Sequence, residues 1–313
     1  MLAYALRRLL LAIPVLGVVS IVIFGILHLA PGDPSLVIAG DGASPADVDR
    51  IRHQLGLDQP LAWRFASWLG RVVQFDFGTS IYSGQPVGGM ILQRLPPTFA
   101  LLGVALAISV GLGVPLGVIA ASRPGRAADR LLGLYGVLGF SLPVFVVGYL
   151  LAYLFASRLH WLPVQGYTPL AAGLGPFLRH LVLPGCAISA AYCALIATVT
   201  RSAMMEVQRQ DYIRTARAMG ASPCSILFRH ALKNAAVPIA TVIGSGVATL
   251  IGGAVVTESI FAVPGIGRLT VDAILHRDYP VISGVVLVAS TAYFLINLLV
   301  DLAYTLLDPR IRY

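Results

Sequence analysis

Six stretches of this chain run without Asp, Glu, Lys or Arg for about 20 residues or more, the length a helix needs to cross roughly 30 Å of hydrocarbon. They are residues 9–30, 98–121, 131–157, 181–200, 235–257 and 281–300. Lipid offers backbone N–H and C=O groups no outside partner, and the runs are far too long for barrel strands, so helices follow. The pattern predicts an all-α membrane protein with six transmembrane helices.

The longest interval between runs, residues 31–97, also carries helical spacing. Ser44-Pro45 followed by Asp47 gives a cap, a first-turn proline and an acid, and Gly56 is the matching stop. Leu61, Phe65, Trp68, Leu69 and Val72 share one helical face, as do Val87, Ile91 and Leu95. These helices are expected on the outer membrane surface or capping the spans. Their apolar faces suit packing first, with a surface that receives an external partner as the alternative.

Composition agrees with the pattern. The 313 residues are 57% hydrophobic and only 12% charged, so the bulk of the chain must face lipid. With the N-terminus inside the cell, thirteen of the 22 Lys and Arg residues fall on the inner side and nine outside. Five of those nine lie in the long segment, which counts little toward orientation. Both termini are therefore expected to be cytoplasmic. Arg7-Arg8 before an apolar run suggests a signal peptide, but residues 9–30 are longer than the usual core of about 7–15 residues. Cys186 and Cys193 are seven residues apart on one helix, too far for a disulfide, and with Cys224 they read as small apolar residues.

Against this background the segment DYIRTARAMGASPCSILFRHALKN, residues 211–234, stands out. Tyr212, Ala216 and Met219 fall at i, i+4 and i+7 with Ile213 alongside, whereas Arg214 and Arg217 share another face and Asp211 can pair with Arg214. Gly220 stops the helix, Ser222-Pro223 restarts it, and Ile226, Leu227, Ala231 and Leu232 supply a new apolar stripe. A helix, a break and a helix thus project on the cytoplasmic side between the fourth and fifth spans. Such an element suits docking into a groove on another protein, or resting on lipid headgroups. Its short ties to the membrane argue against a DNA-binding helix-turn-helix, so no nucleic-acid partner is expected.

Several chemistries are missing. The only lysine, Lys233, follows Leu232, so there is no GxxxxGK[ST] phosphate loop. The charge-free runs lack the buried ionisable residue of an ion-coupled carrier, with only Glu258 and Asp301 at span ends. A Ser/His intramembrane protease would need facing groups at depth, and Ser245 has none, because His28 and His180 lie near outer ends. No catalytic, cofactor-binding or metal residues are expected in this chain.

The insert resembles the "EAA" cytoplasmic loop of ABC-importer permeases, with Arg214-Thr215-Ala216, Gly220 and Leu232 at motif positions. Arg214 replaces the glutamate and Lys233 the final proline, as in the dipeptide/oligopeptide/nickel permease family. PGDPSLV (31–37), LGLDQPL (55–61), DFGTSI (76–81), RLPPTFAL (94–101), GVPLGVIAA (113–121), TESIFAVPGIGRL (257–269), HRDYPVI (276–282) and DLAYTLLDPRIRY (301–313) look like the same family. The likeness covers nearly the whole chain.

That resemblance implies a type I ABC importer permease of a prokaryotic plasma (inner) membrane, organised as residues 1–30 (N-terminus and first span), 31–97 (extracytoplasmic helical segment) and 98–313 (permease core with the coupling loop 201–234). The implied partners are a second homologous permease, two ATP-binding cassette ATPase subunits that use ATP and Mg²⁺, and an extracytoplasmic solute-binding lipoprotein. The ATPase-docking set is Asp211, Tyr212, Arg214, Thr215, Ala216, Arg217, Met219 and Gly220. Residues 258–276 are the expected external gate, with Glu258 at the mouth of the pathway and Phe261, Pro264, Gly265 and Pro143 as gate or pathway residues. Pro115, Pro143, Pro184 and Pro238 break or begin spans, and Gly244, Ser245, Gly246, Gly252 and Gly253 crowd the fifth, which fits bending as well as ordinary packing. Di- and oligopeptides are the leading cargo, with nickel, glutathione and haem open. A stand-alone secondary carrier and a membrane scaffold are the readings from other classes.

Overall fold

The computed structural model describes residues 2–29, 44–54 and 58–307. Among these the chain is helical, with one isolated antiparallel bridge between Thr79 and Pro86. The described helices are α1 (Leu2–Leu29), α2 (Pro45–Gln54), α3 (Leu61–Val73), α4 (Val87–Ser122), α5 (Ala127–Ser141), α6 (Val144–Arg158), α7 (Leu174–Gln208), α8 (Asp211–Ala218), α9 (Pro223–Ile260), α10 (Ile266–Leu275) and α11 (Tyr279–Leu307). Five of them, α1, α4, α7, α9 and α11, contain a stretch long and apolar enough to cross a membrane. The predicted stop at Gly56 and the PGDPSLV motif lie outside the described residues.

The third predicted span is built differently from the rest. Helices α5 and α6 meet at a bend of 108°, and they make a sixth span only if taken together. Proline has no N–H and crowds the residue before it out of helical space. Leu142 is accordingly extended (φ −89°, ψ 121°), and Pro143 then opens α6 as its N-cap. Helix α4 also departs from expectation, running unbroken from Val87 through Pro96 and Pro97 into the second span. The division drawn between residues 97 and 98 falls inside it.

The chain forms two compact units, one built on Leu95–Arg268 and the other on Leu6–Arg94 with Leu269–Phe294. In the first, α7 is the spine. Ile188, Tyr192 and Ile196 of α7 pack with Leu101 and Ala105 of α4 and with Leu250 and Ala254 of α9. Gly113 and Gly117, one turn apart on α4, let that helix close on α7. A Cβ on Gly113 would stand 2.9 Å from the Ile196 side chain, and one on Gly117 would strike Thr200. A second cluster, including Val118, Met204, Ile213, Ile226 and Ala235, seats α8 against α4, α7 and α9. Nearby, the Arg201 guanidinium donates to both Asp129 carboxylate oxygens, and the Gly125 N–H adds a third bond to the same group.

In the second unit the predicted apolar face of α3 packs on α1. Phe24 meets Phe65 and Trp68 with ring centroids 5.3 and 5.6 Å apart. Val87 and Ile91 of α4 are buried against Gly284 of α11. Asp278, 3% exposed, ties residues 80–82 to the loop ahead of α11, receiving the Ser80 hydroxyl at 2.5 Å and the Ile81 N–H at 3.1 Å.

Candidate functional site

Helix α8 has two unlike faces. Ile213 is wholly buried and Ala216 nearly so, and these side chains fix the helix to the unit beneath. Asp211, Tyr212, Arg214, Thr215, Arg217 and Met219 are exposed, Met219 at 78%. Ala216 therefore sits on the seating face, while the other members of the expected docking set are open to a partner. Asp211 and Arg214 do pair, at 3.2 Å, but both are so exposed that the contact contributes little stability.

The stop after α8 is a complete Schellman cap. Ala221 N–H bonds to Ala216 C=O at 3.1 Å and Gly220 N–H to Arg217 C=O at 3.0 Å, with Gly220 at φ +82°. Ser222 then caps α9, accepting from the Ser225 N–H at 3.3 Å, and Pro223 takes the first helical position. Residues 226–231 widen into a π-helical turn before the α-helix resumes. One polar tie spans the break: Asn234 Nδ2 donates to the Tyr212 hydroxyl oxygen at 2.8 Å and to the His230 carbonyl at 2.9 Å. The insert is thus joined to α9 through the chain, through packing and through Tyr212.

Helix α9 ends in a second tight turn. Val263 N–H bonds to Glu258 C=O at 2.9 Å around Ala262, which holds φ +51° without being glycine. The Glu258 carboxylate lies beneath this turn with no exposed surface. Thr98 Oγ1 of α4 donates to its Oε1 at 2.6 Å, and the Arg268 N–H donates to its Oε2 at 3.1 Å. The same Thr98 oxygen accepts the Ile266 N–H at 2.8 Å, so one hydroxyl links the turn's backbone to the carboxylate. Gly265 and Gly267 leave the space the carboxylate occupies, since a Cβ at Gly265 would collide with it. A buried carboxylate needs such donors. In this structure Glu258 braces the turn from within and presents nothing to open space, unlike a group at the mouth of a path.

Phe261, 2% exposed, packs on Ala152 and Ala156 of α6 and on Leu183 and Ala187 of α7, and Gly166 N–H bonds to its carbonyl at 2.9 Å. Glu258, Phe261, Pro264 and Gly265 are therefore brought together in one turn. Pro143 stands apart from them, exposed at the corner between α5 and α6. Sequence reading missed Thr98, Asn234 and Asp278. Thr98 lies inside the RLPPTFAL motif, but no local pattern links it to a residue 160 positions away. Among the described residues no group of three or more His, Cys, Asp or Glu could hold a metal ion, and Cys186, Cys193 and Cys224 are free thiols.

This arrangement of spans has the architecture of an ABC-importer permease. Inward-facing structures of the MetNI methionine ABC transporter match with a TM-score of 0.57 at 17% identity, covering 70% of this chain and 96% of that one, a likeness of fold. The chain belongs to the family described as the binding-protein-dependent transport system inner membrane component, whose model matches residues 113–313, and the model of that system's N-terminal membrane component matches residues 1–102. A probable peptide ABC transporter permease protein of Sinorhizobium fredii is 53% identical over 310 residues, covering 99% of each chain. A putative peptide transport system permease protein of Brucella abortus is 45% identical over the full length of both, and the dipeptide transport system permease protein DppB of Alkalihalophilus pseudofirmus is 39% identical. The family consists of multi-pass membrane permeases, so this chain is a transport subunit and not an enzyme.

Proposed function

We propose that this chain is one half of the translocation pathway of an ATP-driven di- and oligopeptide importer in a prokaryotic inner membrane. A second homologous permease supplies the other half. Two cytoplasmic ATPase subunits use ATP and Mg²⁺ to drive the pair, and an extracytoplasmic binding lipoprotein delivers cargo. The cargo class is supported by full-length relatives described as peptide and dipeptide permeases.

The observation that carries the mechanism is the build of α8. Its apolar side is locked into the α4, α7 and α9 packing, and its polar side, with Tyr212, Arg214, Arg217 and Met219, is turned outward. A groove of the ATPase that grips this outer side would move α8 as a solid body. The Tyr212–Asn234 bond and the continuous helix α9 then pass the displacement toward Glu258. The turn braced by Glu258 and Thr98 belongs to residues 258–276, which act as the external gate, and its opening requires the brace to slip. The excess of Lys and Arg on the insert side supports a cytoplasmic insert and cytoplasmic termini.

A cysteine pair, one member at Met219 and one in the candidate ATPase groove, tests the docking, because a crosslink is expected in the intact complex and its absence there would refute the assignment. Uptake into proteoliposomes containing both permeases, the ATPases and the binding protein tests the cargo. Dipeptides and short peptides are expected to stimulate ATP hydrolysis and to accumulate inside. Stimulation by nickel, glutathione or haem with none by peptides would overturn that reading.

A further inference from the structure

Away from the insert and the 258–268 turn, the first unit carries an open cleft of about 670 Å³ where the loop after α6 meets the start of α7. Ala156, Leu162 and Val164 contribute apolar wall. The ionisable side chains lining it are His160, Arg179 and His180, and no carboxylate is among the lining residues.

Each of the three has capacity left for a ligand. Arg179 Nη2 donates to the Trp161 carbonyl at 3.3 Å, which engages one of its five N–H groups. His180 Nδ1 lies 3.0 Å from the Pro176 carbonyl and 3.1 Å from the Thr168 hydroxyl oxygen, so both contacts are made through Nδ1 and Nε2 is the ring nitrogen left for a ligand. His160, at φ +57°, has Nδ1 3.2 Å from the Arg158 carbonyl, which leaves its Nε2 for a ligand.

The residues around the cleft suit the edge of the hydrocarbon. The span-length helices end at Arg158 and begin at Leu174 on either side of the cleft, Leu159 and Leu174 are exposed, and Trp161 is 62% exposed beside them, as in an interfacial aromatic belt. Arg158 folds back over the exposed Tyr153 ring with its Nε donating to the hydroxyl at 2.8 Å. The cleft thus combines one permanent cation, Arg179, two imidazoles that can hydrogen-bond an anion, an apolar wall and a setting suited to headgroup level.

We propose that this cleft binds the phosphate of an anionic glycerophospholipid, with the acyl chains lying along its apolar wall. Free phosphate matches the charges but makes no use of the wall. An acidic protein surface would meet the charges and leave the neighbouring Leu159, Trp161 and Leu174 uncovered.

The test is native mass spectrometry of the full chain in detergent, titrated with phosphatidylglycerol, with phosphatidylcholine of the same acyl chains, and with sodium phosphate. Phosphatidylglycerol is expected to bind about fivefold more tightly than phosphatidylcholine, in line with roughly 1 kcal/mol per Arg near an anionic surface. The double variant His160→Ala, Arg179→Ala is expected to lose that preference and Arg179→Lys to keep most of it, with circular dichroism and melting checking that both fold. Equal binding of the two lipids, or full preference in the double variant, would overturn the proposal. Displacement of phosphatidylglycerol by millimolar phosphate would reassign the cleft to a soluble anion. Unchanged lipid binding with weakened affinity for the extracytoplasmic binding protein would reassign it to a protein contact.

Discussion

The Tyr192 ring of α7 occupies the notch left by the missing side chain of Gly246 on α9, and its hydroxyl donates to the backbone carbonyls of Val242 and Ile243. Tyr192 is 3% exposed and sits in the main packing cluster of the first unit. The glycine-dense fifth span is therefore, at this position, a fitted joint between the two helices that flank the insert.

Gly246→Ala places a methyl where the ring lies, and overpacking of this kind costs about 1–3 kcal/mol. Tyr192→Phe keeps the ring and removes the hydroxyl, for about 1 kcal/mol. Combining Gly246→Ala with Tyr192→Ala gives the methyl room, so the loss is expected to be smaller than the sum of the separate Gly246→Ala and Tyr192→Ala losses. Thermal melting of the detergent-purified chain measures these four variants, and strict additivity of Gly246→Ala and Tyr192→Ala would show that the two residues do not share this space.

Gly220 has open space around its Cα and a φ of +82°, so only backbone conformation restricts it. Gly220→Asn is expected to be tolerated, because Asn visits this region, whereas Gly220→Val incurs about 1 kcal/mol or more and loosens the cap. ATP hydrolysis and uptake measured side by side are expected to separate in the valine variant. Equal behaviour of the two variants would remove the cap from the account.

Thr98→Val preserves shape but leaves the Glu258 carboxylate and the Ile266 N–H each short of a partner, at about 1–3 kcal/mol. Thr98→Ser restores the hydroxyl and is expected to behave like the parent. Glu258→Gln turns one accepting oxygen into a donor facing either Thr98 or the Arg268 N–H, so uptake and binding-protein stimulation are expected to fall with it. Normal uptake in both Thr98→Val and Glu258→Gln would mean that the brace has no part in gating.

Asp278 accepts from Ser80 and from the backbone of Ile81, and Tyr82 N–H lies 3.4 Å away. Asp278→Ala abandons these donors together and is expected to destabilise the second unit by about 2–3 kcal/mol, more than Ser80→Ala. Limited proteolysis of residues 76–86 reads the difference, with the Asp278 variant cut first.

The five unbroken spans were legible because apolar runs of this length match the thickness of hydrocarbon. The Gly220 stop and the Ser222-Pro223 restart were legible because each depends on local chemistry. The corner at Pro143 was visible as a proline, but sequence does not distinguish a mild kink from a turn of 108°. The π-helical turn at 226–231 shares the apolar stripe of an ordinary helix and leaves no separate trace. Ala262 hides a left-handed cap because the residue there is not glycine. Thr98 with Glu258, and Tyr192 with Gly246, depend on how distant helices meet, which no local period encodes. The inward turn of the Glu258 carboxylate belongs to the same class, since a charge at the end of a span reads equally well as lining a path or as holding a turn.

Pro223–Ile260 is one continuous helix of 38 residues, and its α-helical part after the π turn, Leu232–Ile260, alone makes about 44 Å of rod at 1.5 Å per residue. Its two tips are therefore inherited as one object. Chimeras that splice half of this rod from a relative are expected to misalign one tip, whereas exchanging the whole rod together with its Tyr192 partner keeps both in register.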